Sequence, residues 1–356
     1  MFDIATQTCY NNGSTKLIRK GNFMNILVLA GGLSPERDVS LASGAQVVKA
    51  LRSIGHCVLL LDAYKSIEAT ISFESLYDTY AQDNYTYPIP AQEPNLAELK
   101  AQFGNGEDLL GKHVLNACKL ADVVFLALHG AYGENGQLQA ALDLHSVCYT
   151  GSGHVGCAVS MDKHIAKTLM QAAGINCPPA ATKQNLPAVI KPANGGSSLG
   201  VTIAHTEQEY HAALVLARQY DSNVVVEQYI PGREFSVGVL SDKALPVIEI
   251  CPKAGWFDYA NKYQANVTDE ICPADLPEKI AIQMQSMALA AHSALHLGSY
   301  SRVDFILSEQ NKLFCLEANS LPGLSPASLL PQEAAAAGIS YEDLCEQIVQ
   351  LALEEK

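Results

Sequence analysis

The segment Asn25–Ala30 (NILVLA) is short and almost wholly apolar, stops at Gly31-Gly32, and gives way to a helical pattern over Val39–Leu51. A run this short and apolar suits a buried strand, and a strand, a glycine break and a helix in that order belong to a layered α/β protein. The unit recurs. Cys57–Leu61 reads as a second strand and Asp122–Leu128 (DVVFLAL) as a third, ending at His129-Gly130. A helix follows over Glu134–His145, with an apolar stripe at Leu138, Ala141 and Leu142. Residues 65–106, dominated by Tyr, Asn, Pro and Gly, read as an irregular excursion.

Beyond the helix Met161–Ala173, closed by Gly174 and Pro178-Pro179, the texture changes. Short strands crowd together at Ala188–Lys191, Gly200–Ala204, Asn223–Tyr229, Glu234–Leu240 and Leu245–Ile250, with a helix over Glu207–Gln219. A long helix, Leu276–Leu297, leads to strands Arg302–Leu307 and Lys312–Glu317, and Tyr341–Leu353 closes the chain as a helix. A first α/β half thus gives way near residue 150 to an α+β half. A length of 356 residues, at about 100–200 per domain, allows two or three domains. Residues 1–23 lack the apolar core of a secretory signal and read as an extension. No uncharged run approaches the ~18 apolar residues of a membrane span. Ten cysteines stand singly, with no C-x-x-C pair, as buried thiols in a reducing cytosol do.

The net charge of -14 excludes nucleic acid and anionic lipid as bulk partners. An anionic substrate must therefore be met by locally placed cations or backbone N–H groups. The stretch from Lys191 to Gly200 (KPANGGSSLG) offers both: a strand ends in a lysine, and a loop of small residues follows whose backbone can close over phosphates. It lacks the G-K-[ST] of a Walker loop, and an unliganded hairpin is the plainer alternative. Arg302 and Asp304 share one face of a strand, as do Glu317 and Asn319 on the next. If the two strands pair antiparallel, three oxygen ligands of the kind magnesium prefers converge with one guanidinium. A surface ion pair is the competing reading, and the apolar run before each pair speaks against it. The loop Leu321–Leu329 brings the Gly323 N–H and the Ser325 and Ser328 hydroxyls directly after Asn319, where a carboxylate or oxyanion can be held. Glu36, after the first glycine turn, could hold an ammonium group; on its own, a helix N-terminal acid favoured by the dipole is the better reading.

Two motifs mislead. Gly151–Gly156 matches G-x-G-x-x-G, but the acid expected ~20 residues on is missing, so a dinucleotide site is rejected. His292 and His296 stand four apart on a helix, without the glutamate of H-E-x-x-H.

From about Met24 to its end, the chain resembles the D-alanine–D-alanine ligases of the ATP-grasp superfamily. The resemblance is carried by GGLSPERDVS (31–40), HGAYGENG (129–136), YTGSG (149–153), MDK (161–163), KPANGGSSLG (191–200), VVVEQYIPGREFSVGVL (224–240), ANKY (260–263), RVDF (302–305) and LEANSLPGLSPASLLP (316–331), in the family's order. It implies an ATP-grasp fold behind an N-terminal Rossmann-like α/β domain. The divisions would be 24–150 for the substrate domain, 151–225 for the central subdomain and 226–356 for the C-terminal subdomain with metal and substrate sites. It implies a cytoplasmic, homodimeric enzyme of peptidoglycan and cell-wall synthesis that uses ATP, two D-alanine molecules and two Mg2+ (or Mn2+) ions.

The resemblance also implies roles. Lys163 and Lys191 would contact the ATP phosphates, and Ser197, Ser198 and Lys262 would also bind ATP. Glu227 with the backbone of Gln228, Tyr229 and Ile230 would hold adenine, and Glu234 the ribose. Asp304, Glu317 and Asn319 would bind the metals. Glu36, in a bonded set with Ser197 and Tyr263, would take the first D-alanine ammonium, with His129 alongside; Ser328 and Leu329 would receive the second D-alanine. Arg302 and Gly323 would face the oxyanion. Tyr263, where relatives using D-lactate carry Phe, implies an amide product. The alternatives are a ligase for another pair, of the D-Ala-D-Ser or D-Ala-D-Lac type, and a catalytically inactive ATP-binding regulator. The chain departs from the family pattern in a short passage before Lys191, in Ala260-Asn261, in Ser320 and in residues 1–23.

Overall fold

The computed structural model describes residues 23–90, 92–196, 198–253 and 268–354. Strand β1 (Asn25–Ala30) lies between β2 (Cys57–Asp62) and β3 (Val123–Leu126), parallel to both. Helix Arg37–Ser53 packs on this sheet. Residues Ile26 to Ala30 are sealed from water on both faces, which explains why the run is continuous rather than alternating. Each such Leu, Ile or Val contributes roughly 1.5–3 kcal/mol by its burial.

The closing helix Tyr341–Glu354 returns to this first sheet. Its Leu344, Cys345, Ile348 and Val349 join the same core, and Glu346 Oε2 meets His56 Nε2 at 2.7 Å.

Strands β4 (Ala188–Pro192), β5 (Thr202–Ala204) and β6 (Val224–Gln228) form a second, antiparallel sheet in the order β5-β4-β6. Helix Glu207–Tyr220 covers it, started by a capping box between Thr206 and Glu209. The third sheet is antiparallel: β7 (Gly232–Leu240), β8 (Lys243–Ala244), β9 (Ile248–Pro252), β10 (Thr268–Ile271), β11 (Tyr300–Ser308) and β12 (Leu313–Asn319). Its path runs β10-β9-β7-β11-β12, with β8 paired to β7. Helices Lys163–Ala172 and Glu278–Ala294 share one core with β7, β11 and β12.

Several expectations need correction. The excursion 65–106 is not irregular throughout; it holds helices Phe73–Tyr80 and Leu96–Phe103. The Ser72 side chain caps the first, and Asn95 the second. The helix expected over Glu134–His145 is two, Ala131–Glu134 and Gln137–Leu144, because Gly136 between them adopts φ +86°. The helix expected from Met161 starts at Lys163, with the Asp162 carboxylate accepting from the N–H groups of His164 and Ile165. The strand expected over Leu245–Ile250 is β9, starting at Ile248. Strand β10 and helix Leu329–Ala336 were not foreseen. His296 lies beyond the end of its helix, so it does not share a helical face with His292.

Candidate active site

The second and third sheets enclose an open cleft of about 1050 Å³. Its polar wall carries Lys163, Lys191, Ser198, Glu227, Glu234, Asp304 and Glu317; Gln228, Tyr229 and Ile230 border it, and Val189, Ile203, Ile306 and Leu316 supply apolar surface. An apolar slot with a polar end suits a nucleotide: base between side chains, phosphates toward the charges.

Lys191 is the last residue but one of β4, and its Nζ lies 2.9 Å from Glu227 Oε2 on the neighbouring strand β6. Lys167 Nζ takes the other oxygen at 2.7 Å. Burial pushes the Glu227 carboxyl up, but the two ammonium groups outweigh it and hold it below the usual carboxylate range. Burial pulls the Lys191 ammonium down; Glu227 and Glu317 outweigh that and raise it. Lys163 Nζ donates to the Gly195 carbonyl at 2.7 Å and sits 3.8 Å from Glu317 Oε2, tying the glycine loop to β12. Ser198 in that loop adopts φ +59°, a left-handed conformation unusual for serine.

Strands β11 and β12 pair antiparallel with Arg302 opposite Asn319 and Asp304 opposite Glu317, and the register shifts immediately afterwards, between Asp304 and Phe305. The four side chains therefore meet as the alternation required. Arg302 donates from Nε to Asp304 Oδ1 at 2.9 Å and from Nη2 to Oδ2 at 2.8 Å. Ser236 Oγ donates to Asp304 Oδ1 at 2.7 Å, and Asn319 Nδ2 to Oδ2 at 3.1 Å. Burial pulls the Arg302 guanidinium down, but Asp304 and then Glu317 outweigh it, so it stays charged. Two carboxylates and an amide oxygen form a hard donor set that phosphate oxygens would complete. Among the described residues no group of three His, Cys, Asp or Glu side chains could hold a metal, so any cation here depends on the amide and on the substrate.

The first sheet bounds a separate cavity of about 530 Å³, lined by Gly31, Gly32, Ser34, His129, Tyr132 and Gly133. Gly31 and Gly32 both adopt positive φ, +74° and +82°, and turn the chain from β1 toward Glu36. Arg37 Nη1 donates to the Gly32 carbonyl at 2.8 Å, and Asp62 Oδ1 accepts from the Gly32 N–H at 3.2 Å. The Arg37 guanidinium stacks 5.3 Å above the Phe103 ring, so the excursion braces this turn. Glu36 precedes helix Arg37–Ser53 without capping it through its side chain. A Cβ on Gly130 would lie 3.2 Å from Glu36 Oε2, which brings Glu36 beside His129-Gly130. Burial lowers the His129 imidazole despite Glu36, keeping it neutral.

Ser325 Oγ and Ser328 Oγ lie 2.8 Å apart at the start of helix Leu329–Ala336. A Cβ on Gly323 would lie 2.8 Å from Ser328 Oγ, so the loop closes on itself here. Leu329 is buried in a small cluster with Ile248 and Ile250. Glu333 of the same helix accepts from the Gly238 N–H at 3.0 Å, and Gly238 is the register partner of Arg302. Ser197, Lys262 and Tyr263 lie outside the described residues.

Two further residues escaped the sequence reading. Lys167, one turn after Lys163, could have been found from the i, i+4 spacing of the two lysines. Glu134, inside HGAYGENG, accepts from the Gly130 N–H at 2.8 Å, and burial with the Glu36 charge pushes it up to about 8. The misleading motifs resolve structurally. A Cβ on Gly156 would lie 2.3 Å from the His296 carbonyl oxygen, so this glycine serves helix packing. His292 Nδ1 is bonded to Ser301 Oγ at 2.7 Å.

Three layers of this kind, with lysines and acids facing one cleft, define an ATP-grasp ligase. Residues 25–152 match the family description "D-ala D-ala ligase N-terminus" and residues 163–350 match "D-ala D-ala ligase C-terminus". A D-alanine--D-alanine ligase of Pediococcus pentosaceus is 42% identical over 92% of this chain and 97% of its own length. The enzyme of that name from Lacticaseibacillus casei is 37% identical over 92% and 95%. Among solved structures, the Bacillus anthracis D-alanine--D-alanine ligase complexed with ATP superposes with a TM-score of 0.69 at 27% identity, covering 93% of this chain and 98% of that one. The VanG D-Ala:D-Ser ligase of Enterococcus faecalis superposes with a TM-score of 0.71 at 26% identity, covering 93% and 100%. The chain belongs to the D-alanine–D-alanine ligase family.

Proposed function

We propose that this protein joins two D-alanine molecules into D-alanyl-D-alanine at the expense of ATP, through an acyl phosphate, for peptidoglycan precursor synthesis. The observation that carries the reading is the register of β11 on β12, which sets Arg302 opposite Asn319 and Asp304 opposite Glu317, with Asp304 and Glu317 lining the cleft that also holds Lys163 and Lys191.

In this reading adenine lies against Glu227 and the backbone of Gln228 to Ile230, and Glu234 holds the ribose. Lys163 and Lys191 take the phosphates, and Ser197, Ser198 and Lys262 complete the ATP site. Glu36, with His129 beside it and Ser197 and Tyr263 completing the set, holds the first D-alanine ammonium. Its carboxylate attacks the γ-phosphate and ADP leaves, which converts a poor electrophile into an acyl phosphate with a leaving group. Lys163 and Lys191 offset charge during that transfer. Asp304, Glu317 and Asn319 fit two Mg2+ (or Mn2+) ions, whose positive charge would neutralise the phosphate oxygens. The second D-alanine is held by Ser328 and Leu329; its amine attacks the acyl phosphate carbonyl, loses a proton, and inorganic phosphate leaves as the amide forms. Arg302 and the Gly323 N–H stabilise the tetrahedral oxyanion.

We further divide the chain into 24–150, 151–225 and 226–356, and propose a homodimer acting in the cytoplasm. No helix among the described residues is long and apolar enough to cross a membrane. A phosphate-release screen over D- and L-amino acids tests the reading. D-alanine alone should support turnover; a requirement for D-serine or another amino acid as partner would contradict it.

A further inference from the structure

Glu227 is 2% exposed, and its two oxygens are shared between two lysines. The lysines are not equivalent. Lys191 lines the cleft and leads into the glycine loop, where phosphates belong. Lys167 is not part of the cleft wall; its Nζ is fixed between Glu227 Oε1 and the Pro178 carbonyl, 2.7 Å from each. When Lys191 turns to a phosphate, Glu227 keeps one cation, and its Oε2 becomes free to accept.

We propose that Lys167 is the positioning residue for nucleobase selectivity: it holds Glu227 as an oriented anion so that Oε2 accepts the 6-amino group of adenine. This rests on the reading above, in which Glu227 meets adenine. An ionised carboxylate accepts hydrogen bonds and cannot donate. A 6-amino purine offers it a donor, whereas a 6-oxo purine turns an acceptor toward an acceptor and leaves both buried and unpaired, which a polar site rejects strongly. Without Lys167, Lys191 would be the last cation on a sealed carboxylate, and stripping it away for the phosphate is costly. Glu227 would then retain Lys191 or take up a proton from water. Either response weakens adenine recognition and leaves the amino-acid sites alone.

The test compares ATP with inosine triphosphate, its 6-oxo counterpart, as substrates of the full chain with D-alanine. The wild type should favour ATP by at least ~100-fold in kcat/KM. Lys167→Met should cut that preference at least about tenfold, raise KM for ATP, and leave KM for D-alanine within about twofold. Lys167→Arg, which keeps the cation, should preserve the preference within about threefold. Undiminished preference in Lys167→Met overturns the proposal, as does an equal loss in both variants. Should Lys167→Met not fold, Lys167→Gln carries the same expectation. A wild type that uses both nucleotides alike also overturns it while leaving the ligase intact. A wild type that makes no dipeptide with ATP contradicts the ligase reading itself.

Discussion

Arg302 and Asp304, two residues apart on β11, hold each other in a two-pronged ion pair of 2.9 and 2.8 Å. The pairing, with Glu317, keeps the guanidinium charged despite its burial. It also fixes the Asp304 carboxylate between Arg302, Ser236 and Asn319. A donor held in place before the reaction stabilises developing charge without reorganising at the moment of reaction.

Arg302→Ala should therefore lower kcat by roughly 10²–10³-fold, the usual cost of removing one oxyanion donor. Nucleotide affinity, measured by calorimetry, should change only a few-fold, because the lysines and Glu227 are untouched. Turnover at the wild-type level would refute the role given to Arg302.

Stability should fall as pH rises across neutrality. Burial raises the Glu134 carboxyl from an ordinary value of 4.5 to about 8, and Glu333 is raised as well, chiefly by burial. The folded state therefore binds more protons than the unfolded one between those values. The stability this provides is fully present below the unfolded value and is lost as pH climbs through about 8. Thermal midpoints should decline from pH 6 to pH 9, and Glu134→Gln with Glu333→Gln should flatten the decline. A midpoint that rises over this range in the wild type would reverse the assignment.

Much of this was legible in the sequence, for a physical reason. The buried strands are short apolar runs bounded by glycine, and period-two alternation put Arg302 with Asp304 and Glu317 with Asn319. The pairing of β11 with β12 was a condition that only the fold could meet. The excursion 65–106 was misread because its composition hid two weakly apolar helices whose capping residues, Ser72 and Asn95, were the better signal. Lys167 showed in the sequence only as a second lysine one turn after Lys163, with nothing to tie it to Glu227, and Glu134 matters through burial and the charge of the distant Glu36. Glu227 is sixty positions from Lys167, and no local pattern links them.

Gly156→Ala should destabilise the protein by about 1–3 kcal/mol, the usual cost of overpacking. The added Cβ would lie 2.3 Å from the backbone oxygen of His296, which cannot swing aside as a side chain can. Urea unfolding would register this as a lower midpoint, and NADH binding should be absent in both proteins. A neutral substitution would mean that the two segments are not in close contact.

Given equal D-alanine and D-lactate at neutral pH, the enzyme should form dipeptide in excess, as Tyr263 implies, and mass spectrometry of the products decides it. Tyr263→Phe should move the ratio toward the ester. A wild type producing mainly D-alanyl-D-lactate would overturn the amide assignment.

The most direct test supplies ATP, Mg2+ and D-alanine as the sole amino acid, and quantifies ADP alongside a product identified by mass. D-alanyl-D-alanine and ADP should appear in equal amounts, and Asp304→Asn or Glu317→Gln should abolish both. ADP released without dipeptide, or dipeptide formed undiminished by those two variants, would contradict the account.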